Sequence, residues 1–368
     1  VGRLRIVLFS DLHCHPFQPY ATILANGMNS RLADAISCID QIVAYCADPN
    51  NHVDLVLFGG DLFHVRKNIS VAAFNEVYAA LSQFAANDIP LVLIHGNHDQ
   101  ASKDGSVNSI KTFHSMAHVI ERPGWLELRG RWGDPYSILG VPYTENIEHL
   151  KDIVNIPNPE PLAPSILLAH LGVQGAKVGA DFVYATPYDA KVEDLNCGAF
   201  DRVYLGHYHM HQQLASNAWY IGAPLQHNWG DKHQWRGFLV YNTDTKSHEK
   251  VDLKSPKFVE IDNTSLNMDT SLYSDDFVKI VDSSTDSWSK TRIEEERIRL
   301  GARSLEIVVR EKNSAPFVPR LDISTNTSFK DAMEKYVRSG LSSVEGLDES
   351  YLLQIGNEIL EEVENGEK

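Results

Sequence analysis

Apolar runs of strand length alternate with amphipathic stretches through the first part of the chain. Such runs occupy residues 4–9, 53–58, 89–94, 165–169 and 202–205. Between the first two, Leu32, Ala35, Ile36, Ile39, Ile42 and Val43 recur at three- and four-residue intervals. After Asp61 the same spacing returns in Val71, Phe74, Val77, Tyr78, Leu81 and Phe84. Both patterns predict helices with one apolar face. Alternating strands and helices predict a layered α/β domain. From Trp219 onward the character changes. Residues 219–221, 237–241, 249–253 and 258–261 read as successive strands separated by turn residues, forming a second sheet or the closing half of a sandwich.

Residues 262–275 are rich in Asn, Asp, Ser and Thr and read as a linker. Beyond them, strand-like residues 277–281 and 304–309 flank a helical stretch, 288–300, that ends at Gly301. This predicts a small β-α-β unit. Pro316 and Pro319 mark a second linker. Two amphipathic helices follow, one lined by Phe329, Met333, Tyr336 and Val337, the other by Leu352, Ile355, Ile359 and Val363. No internal repeat and no apolar run of membrane-spanning length is present.

A length of 368 residues suits one large domain with smaller additions, and 43% apolar residues supply a sizeable core. The four cysteines, Cys14, Cys38, Cys46 and Cys197, form no CxxC pair, and their scatter fits a reducing compartment. The first residues lack the pattern of a secretion signal. Together these predict a cytoplasmic setting. The net charge of −16 counts against tight DNA binding by this chain alone. Carboxylates that ligate cations are included in that count, and a partner subunit can supply basic surface.

Metal-type residues directly follow the apolar runs. Asp11 and His13 come after the first, Asp61 after the second, and Asn97, His98 and Asp99 after the third. His170 ends the fourth, and His207 and His209 follow the fifth. Functional groups of open α/β sheets collect at the carboxyl ends of strands, so these residues are expected to form one cluster. Carboxylate, amide oxygen and imidazole suit Mn, Fe, Zn or Mg better than a thiolate-preferring ion. Asp11 and His13 can bind one ion from one loop, Asp61 can bridge two, and Asn97 offers a neutral oxygen. His207 and His209 point the same way from an extended segment and can serve both ions. Paired ions about 3.5–4 Å apart clamp the attacking and leaving oxygens of an in-line displacement. A lone histidine at a strand end is more often a hydrogen-bonded structural residue. That reading is taken for His114, His118, His149, His211, His227, His233 and His248.

The segments SDLHCH, GGDLFH, GNHD, LLAH and GHYH, in this order over roughly the first 210 residues, resemble the calcineurin-like metallophosphoesterase superfamily. GGDLFH, residues 59–64, is similar to the nuclease subunit of SbcCD-type DNA repair complexes, including bacteriophage ones. The Asp-Arg-Gly element of the superfamily's protein phosphatases is absent. Residues 222–238, GAPLQHNWGDKHQWRGF, resemble a segment of the same nucleases. The resemblance implies an α/β fold, a metallophosphoesterase β-sandwich flanked by helices (residues 1–262). It further implies a β-α-β capping, DNA-contacting domain (275–313) and a helical tail (325–368) docking on the coiled-coil base of an SMC-like ATPase.

By the same resemblance one metal is held by Asp11, His13, Asp61 and His209, the other by Asp61, Asn97, His170 and His207. His98 would stabilise the transition state or protonate the leaving oxygen, with His64 orienting it. Asp99 would fix the His98 loop or its tautomer. His15 departs from the family pattern and reads as a solvated loop residue. The implied activity is Mn-dependent DNA cleavage, exonucleolytic or endonucleolytic, by a homodimer within the complex. A stand-alone phosphoesterase for nucleotides or other small esters shares the same core, and a non-catalytic scaffold would not keep the full ligand set.

Overall fold

A computed structural model of the chain describes residues 5–159, 164–179, 182–183, 186, 188–262, 273–282, 288–309, 329–340 and 348–364. The chain divides into two compact units, residues 1–308 and 309–368.

Two six-stranded sheets form the centre of the first unit. In the first, Arg5–Phe9, Leu55–Phe58, Leu91–Ile94 and His118–Ile120 run parallel in that order. Gly237–Asn242 closes the open edge of Arg5–Phe9 antiparallel, and Ser247–Asp252 continues the hairpin. In the second sheet Ala218–Tyr220, Arg202–Gly206, Ser165–His170 and Pro135–Val141 are parallel neighbours. Gln212–Ala215 and Gly124–Arg129 flank them antiparallel. Ile6, Leu8, Leu55, Leu57, Ile166, Leu168 and Leu239 pack in the core between the sheets. Val7, Phe9, Val56 and Phe58 face the helices Ser30–Ala47 and Val71–Ala86. Strands covered on both faces are apolar throughout, which is why they read as continuous runs. Asn29 starts the first helix by accepting from Arg31 N and Leu32 N, and Ser70 starts the second by accepting from Ala73 N.

The second sheet differs from the sequence expectation. It begins at Gly124, and of the strand group after Trp219 only Ala218–Tyr220 joins it. The hairpin 237–252 belongs to the first sheet, because Arg5–Phe9 needs a partner on its outer side. Phe258–Asp262, placed with the catalytic domain from sequence, instead pairs in parallel with Phe277–Asp282. With Ser304–Val309 these form a three-stranded sheet. The helix Lys290–Leu300 covers it, capped by Ser289 and ended by Gly301 at φ 64°. Its core holds Ile261, Val278, Ile280, Leu300 and Ala302. Both expected linkers fall largely or wholly outside the described residues, at 263–272 and 310–328.

In the second unit the helices Phe329–Gly340 and Glu349–Glu364 pack together, with Met333 against Gly356. Tyr336 and Tyr351 are exposed. Among the described residues no helix is long and apolar enough to cross a membrane.

Candidate metal centre

The parallel strands of both sheets deliver their carboxyl ends to one place. Asp11, His13, Asp61 and Asn97 come from the first sheet, and His170, His207 and His209 from the second. The loops are held in costly conformations. Asp11, His13, Asp61 and His207 have φ of 55°, 46°, 57° and 107°, a region that side chains other than glycine rarely enter. Cross-loop hydrogen bonds hold them there: Asp11 N donates to Gly60 O, and His13 N to Asp61 O. Gly60 itself sits at φ 98°, and a Cβ there would strike the His170 ring.

The donor atoms fall into two nests. In one, His13 Nε2 lies 3.1 Å from His209 Nε2, and Asp11 joins them in a group whose ligand atoms lie within 4.8 Å of one another. In the other, Asn97 Oδ1 lies 3.2 Å from His170 Nε2 and 3.1 Å from His207 Nδ1. Asp61 Oδ2 stands between them, 3.5 Å from both His13 Nε2 and His170 Nε2. Its other oxygen accepts from His98 N at 2.8 Å. Asp11 Oδ1 accepts from His207 N at 3.0 Å, and Ser10 Oγ donates to Oδ2.

The donor set fits divalent cations. Metal–nitrogen bonds of roughly 2.0–2.1 Å place neighbouring ligand atoms roughly 3.0–3.4 Å apart, close to the His13–His209 spacing and to those from Asn97 to His170 and His207. Burial presses the His13 and His209 rings well below the usual imidazole range, so both are neutral donors. Burial pushes Asp11 up to about 7. It also pushes Asp61 upward, but His170 and His13 outweigh it and hold that carboxyl low. For His170, burial lowers the pKa while Asp61 and Asp11 raise it, for a net value of about 9. His170 Nδ1 donates to Gly59 O at 2.7 Å. That bond aims Nε2 at Asp61 and Asn97.

His64 and His98 lie at the mouth. Their rings stack at 5.1 Å, and His98 Nδ1 donates to His64 O at 2.6 Å. Burial, then His98, lowers His64 to about 4. Asp99 is fully buried and accepts from Gly96 N, Leu62 N, Phe63 N and Ser109 Oγ. Its carboxylate thus ties the second and third motif loops together, while the His98 tautomer is set by the His64 carbonyl. His15 packs on Phe17 and His64 at the rim.

His227, expected from sequence to be a hydrogen-bonded structural residue, makes such a bond and also lies beside the cluster. Its ring lies 5.1 Å from that of His13 and 4.9 Å from that of His209, and its Nε2 donates to Asp11 O at 2.9 Å. It follows no apolar run, and its one signal was its place within residues 222–238. The same segment contributes Arg236, buried and paired with Asp231 at 2.9 Å, whose guanidinium donates to His209 O. Asp231 Oδ2 also accepts from His227 N. A cavity of about 460 Å³ opens from this cluster toward Phe17, Tyr20, Arg31 and Asn228.

Residues 4–211 match the model of the calcineurin-like phosphoesterase family. The 244L protein of Invertebrate iridescent virus 6, named as a candidate phosphoesterase, is 23% identical over 212 residues, 56% of this chain and 70% of that protein. The 078R protein of Invertebrate iridescent virus 3, named likewise, is 25% identical over 215 residues. That match spans 56% of this chain and 58% of the relative, less than two thirds of its length. A dimetal phosphatase from Danio rerio superposes with a TM-score of 0.40 at 11% identity, over 64% of this chain and 91% of its own. The Yfce phosphoesterase from E. coli gives 0.31 at 13% identity, over 68% and 100%. With a family match over more than half its length and the five motif loops drawn into one centre, this chain belongs to the calcineurin-like phosphoesterase family.

Proposed function

We propose that the chain cleaves DNA phosphodiester bonds with two divalent ions, manganese foremost, as the nuclease subunit of an SbcCD-type repair complex. The observation that carries the hydrolytic reading is Asp61, whose Oδ2 is equidistant from one histidine of each nest. Two ions held there would neutralise the phosphoryl oxygens and supply a nucleophile at neutral pH. His13, Asp11 and His209 would hold one, and Asn97, His170 and His207 the other. His98 uses Nδ1 on the His64 carbonyl, so Nε2 is left for the substrate. It can donate to the charged phosphoryl group or to the leaving oxygen. His64 orients His98 by stacking, and Asp99 is a positioning residue that acts through the loops.

The finer reading is supported by GGDLFH, by the small sheet whose Phe258 and Phe277 flank Arg31 in the cavity wall, and by two C-terminal helices with apolar residues at helical spacing. Short helices are marginal alone in water, and an apolar helix face laid in a partner's groove is a recurring use of them. The coiled-coil base of an SMC-like ATPase is the proposed groove, with two copies of this chain per complex. A second reading, a stand-alone enzyme for nucleotides or other small esters, is favoured by the charge of −16. The purified chain is expected to cleave DNA with manganese and to leave phosphomonoesters nearly untouched. Turnover of a cyclic nucleotide far above that of any DNA, with or without a partner, would establish the second reading instead.

A further inference from the structure

Arg31 is 5% exposed, yet among the described residues it makes no ion pair. It lies in the first turn of the helix Ser30–Ala47 and lines the cavity that holds the metal ligands. Its Nη2 donates to His227 O at 2.9 Å, and Nη1 reaches Pro19 O at 3.5 Å. The carboxylates around it are already engaged: Asp34 by Arg303 at 2.6 Å and Asp231 by Arg236 at 2.9 Å. Its remaining company is aromatic, with Phe17, Phe258 and Phe277 ring centres 5.1–5.5 Å from the guanidinium carbon. A buried charge ordinarily has a counter-charge. Asp34 and Asp231 act on Arg31 only from beyond contact, and a cation with no anion in direct contact, in the wall of a cavity that handles phosphate esters, is a place for one.

We infer that Arg31 binds a second, non-scissile phosphate of the substrate, so that the centre selects ligands carrying two phosphates one nucleoside apart. This rests on the phosphodiesterase reading above. The scissile phosphate belongs among the Asp61 nests. Arg31 sits one residue outside them, joined through His227 to Asp11. The planar guanidinium matches phosphate oxygens in pairs. Phe17 and Tyr20 give the same cavity flat apolar faces for a sugar or base. The Tyr20 hydroxyl is itself engaged by Glu306 and Trp229, which fixes that ring in the wall. The ligand class is therefore a nucleoside bisphosphate, or the equivalent stretch of a polynucleotide strand.

The test is equilibrium binding of thymidine 3′,5′-bisphosphate and of each thymidine monophosphate to the full, manganese-loaded chain by titration calorimetry. The wild-type chain is expected to prefer the bisphosphate by about tenfold or more. Arg31→Gln should reduce that preference to about twofold or less, and Arg31→Lys should keep part of it. If Arg31→Gln fails to fold, Arg31→Lys against wild type carries the comparison. A wild-type preference near unity overturns the inference, as does a variant that weakens all three ligands by one factor, the mark of a merely structural role through His227. Turnover of bis(p-nitrophenyl) phosphate, measured alongside, separates the two readings. Turnover with no bisphosphate preference removes the Arg31 subsite alone. An Arg31-dependent preference without any turnover removes the phosphodiesterase reading and leaves the subsite.

Discussion

The floor of the centre and its mouth are built differently. On the floor, Asp11, Asp61 and His170 are essentially inaccessible, and each is fixed by a hydrogen bond to backbone from another loop. At the mouth, His64 and His98 are half-buried and hold each other by ring stacking and one carbonyl. The candidate ligands of the floor are set by backbone groups from both sheets. The proposed acid, His98, and its neighbour His64 keep access to solvent. The contrast predicts that floor changes remove metal and activity together, whereas mouth changes remove activity alone.

The largest effect is expected from Asp61→Asn. One neutral amide cannot hold two cations as a carboxylate does, so turnover should fall by roughly three orders of magnitude or more, about 4 kcal/mol. Bound metal should fall with it, by elemental analysis of the purified variant. Near wild-type turnover with both ions present would remove Asp61 from the bridging position. His98→Ala should come next, with a loss of roughly 10²–10⁴ in turnover and metal content unchanged. Activity that tracks metal loss would move His98 to the floor.

Asp231→Ala sharpens the comparison through stability. It leaves the Arg236 guanidinium buried without its partner, which costs about 3–5 kcal/mol. Urea unfolding measures this, and a loss under about 1 kcal/mol would mean that water takes over the role of Asp231. The smallest effect on the catalytic unit should follow ending the chain at residue 322. The melting temperature should move by less than about 2 °C and manganese-dependent activity should persist, while copurification with the ATPase disappears. A destabilised truncation that still binds the ATPase would refute the docking role.

What was legible in sequence follows the same division. The floor could be read because Asp11, Asp61, Asn97, His170 and His207 each come within three residues of a strand buried on both faces, and such strands are unmistakably apolar. Gly124–Arg129 and Pro135–Val141 were missed. One alternates half-buried with exposed residues, and the other carries Pro135 and Gly140, which read as breaks. The hairpin 237–252 was seen as strands but assigned to the wrong sheet, since strand pairing across more than 200 residues leaves no local trace. His227, Arg31 and Arg236 were hidden for a related reason. Their roles exist only as contacts between segments, such as His227 with Asp11 or Arg31 with His227.

The split of the ligands between two sheets also sets when this protein can become active. Asp11 meets His207 and His13 meets His209, each across 196 residues. Arg5–Phe9, which carries the first ligand loop, gains its outer neighbour only when Gly237–Asn242 arrives. Contacts of such long sequence separation form late. A nascent chain that ends before His207 therefore lacks both the backbone bond that fixes Asp11 and the strand that closes the edge of Arg5–Phe9. Hydrolytic capacity is withheld until both sheets have closed, so an unfinished or half-folded copy is a silent one.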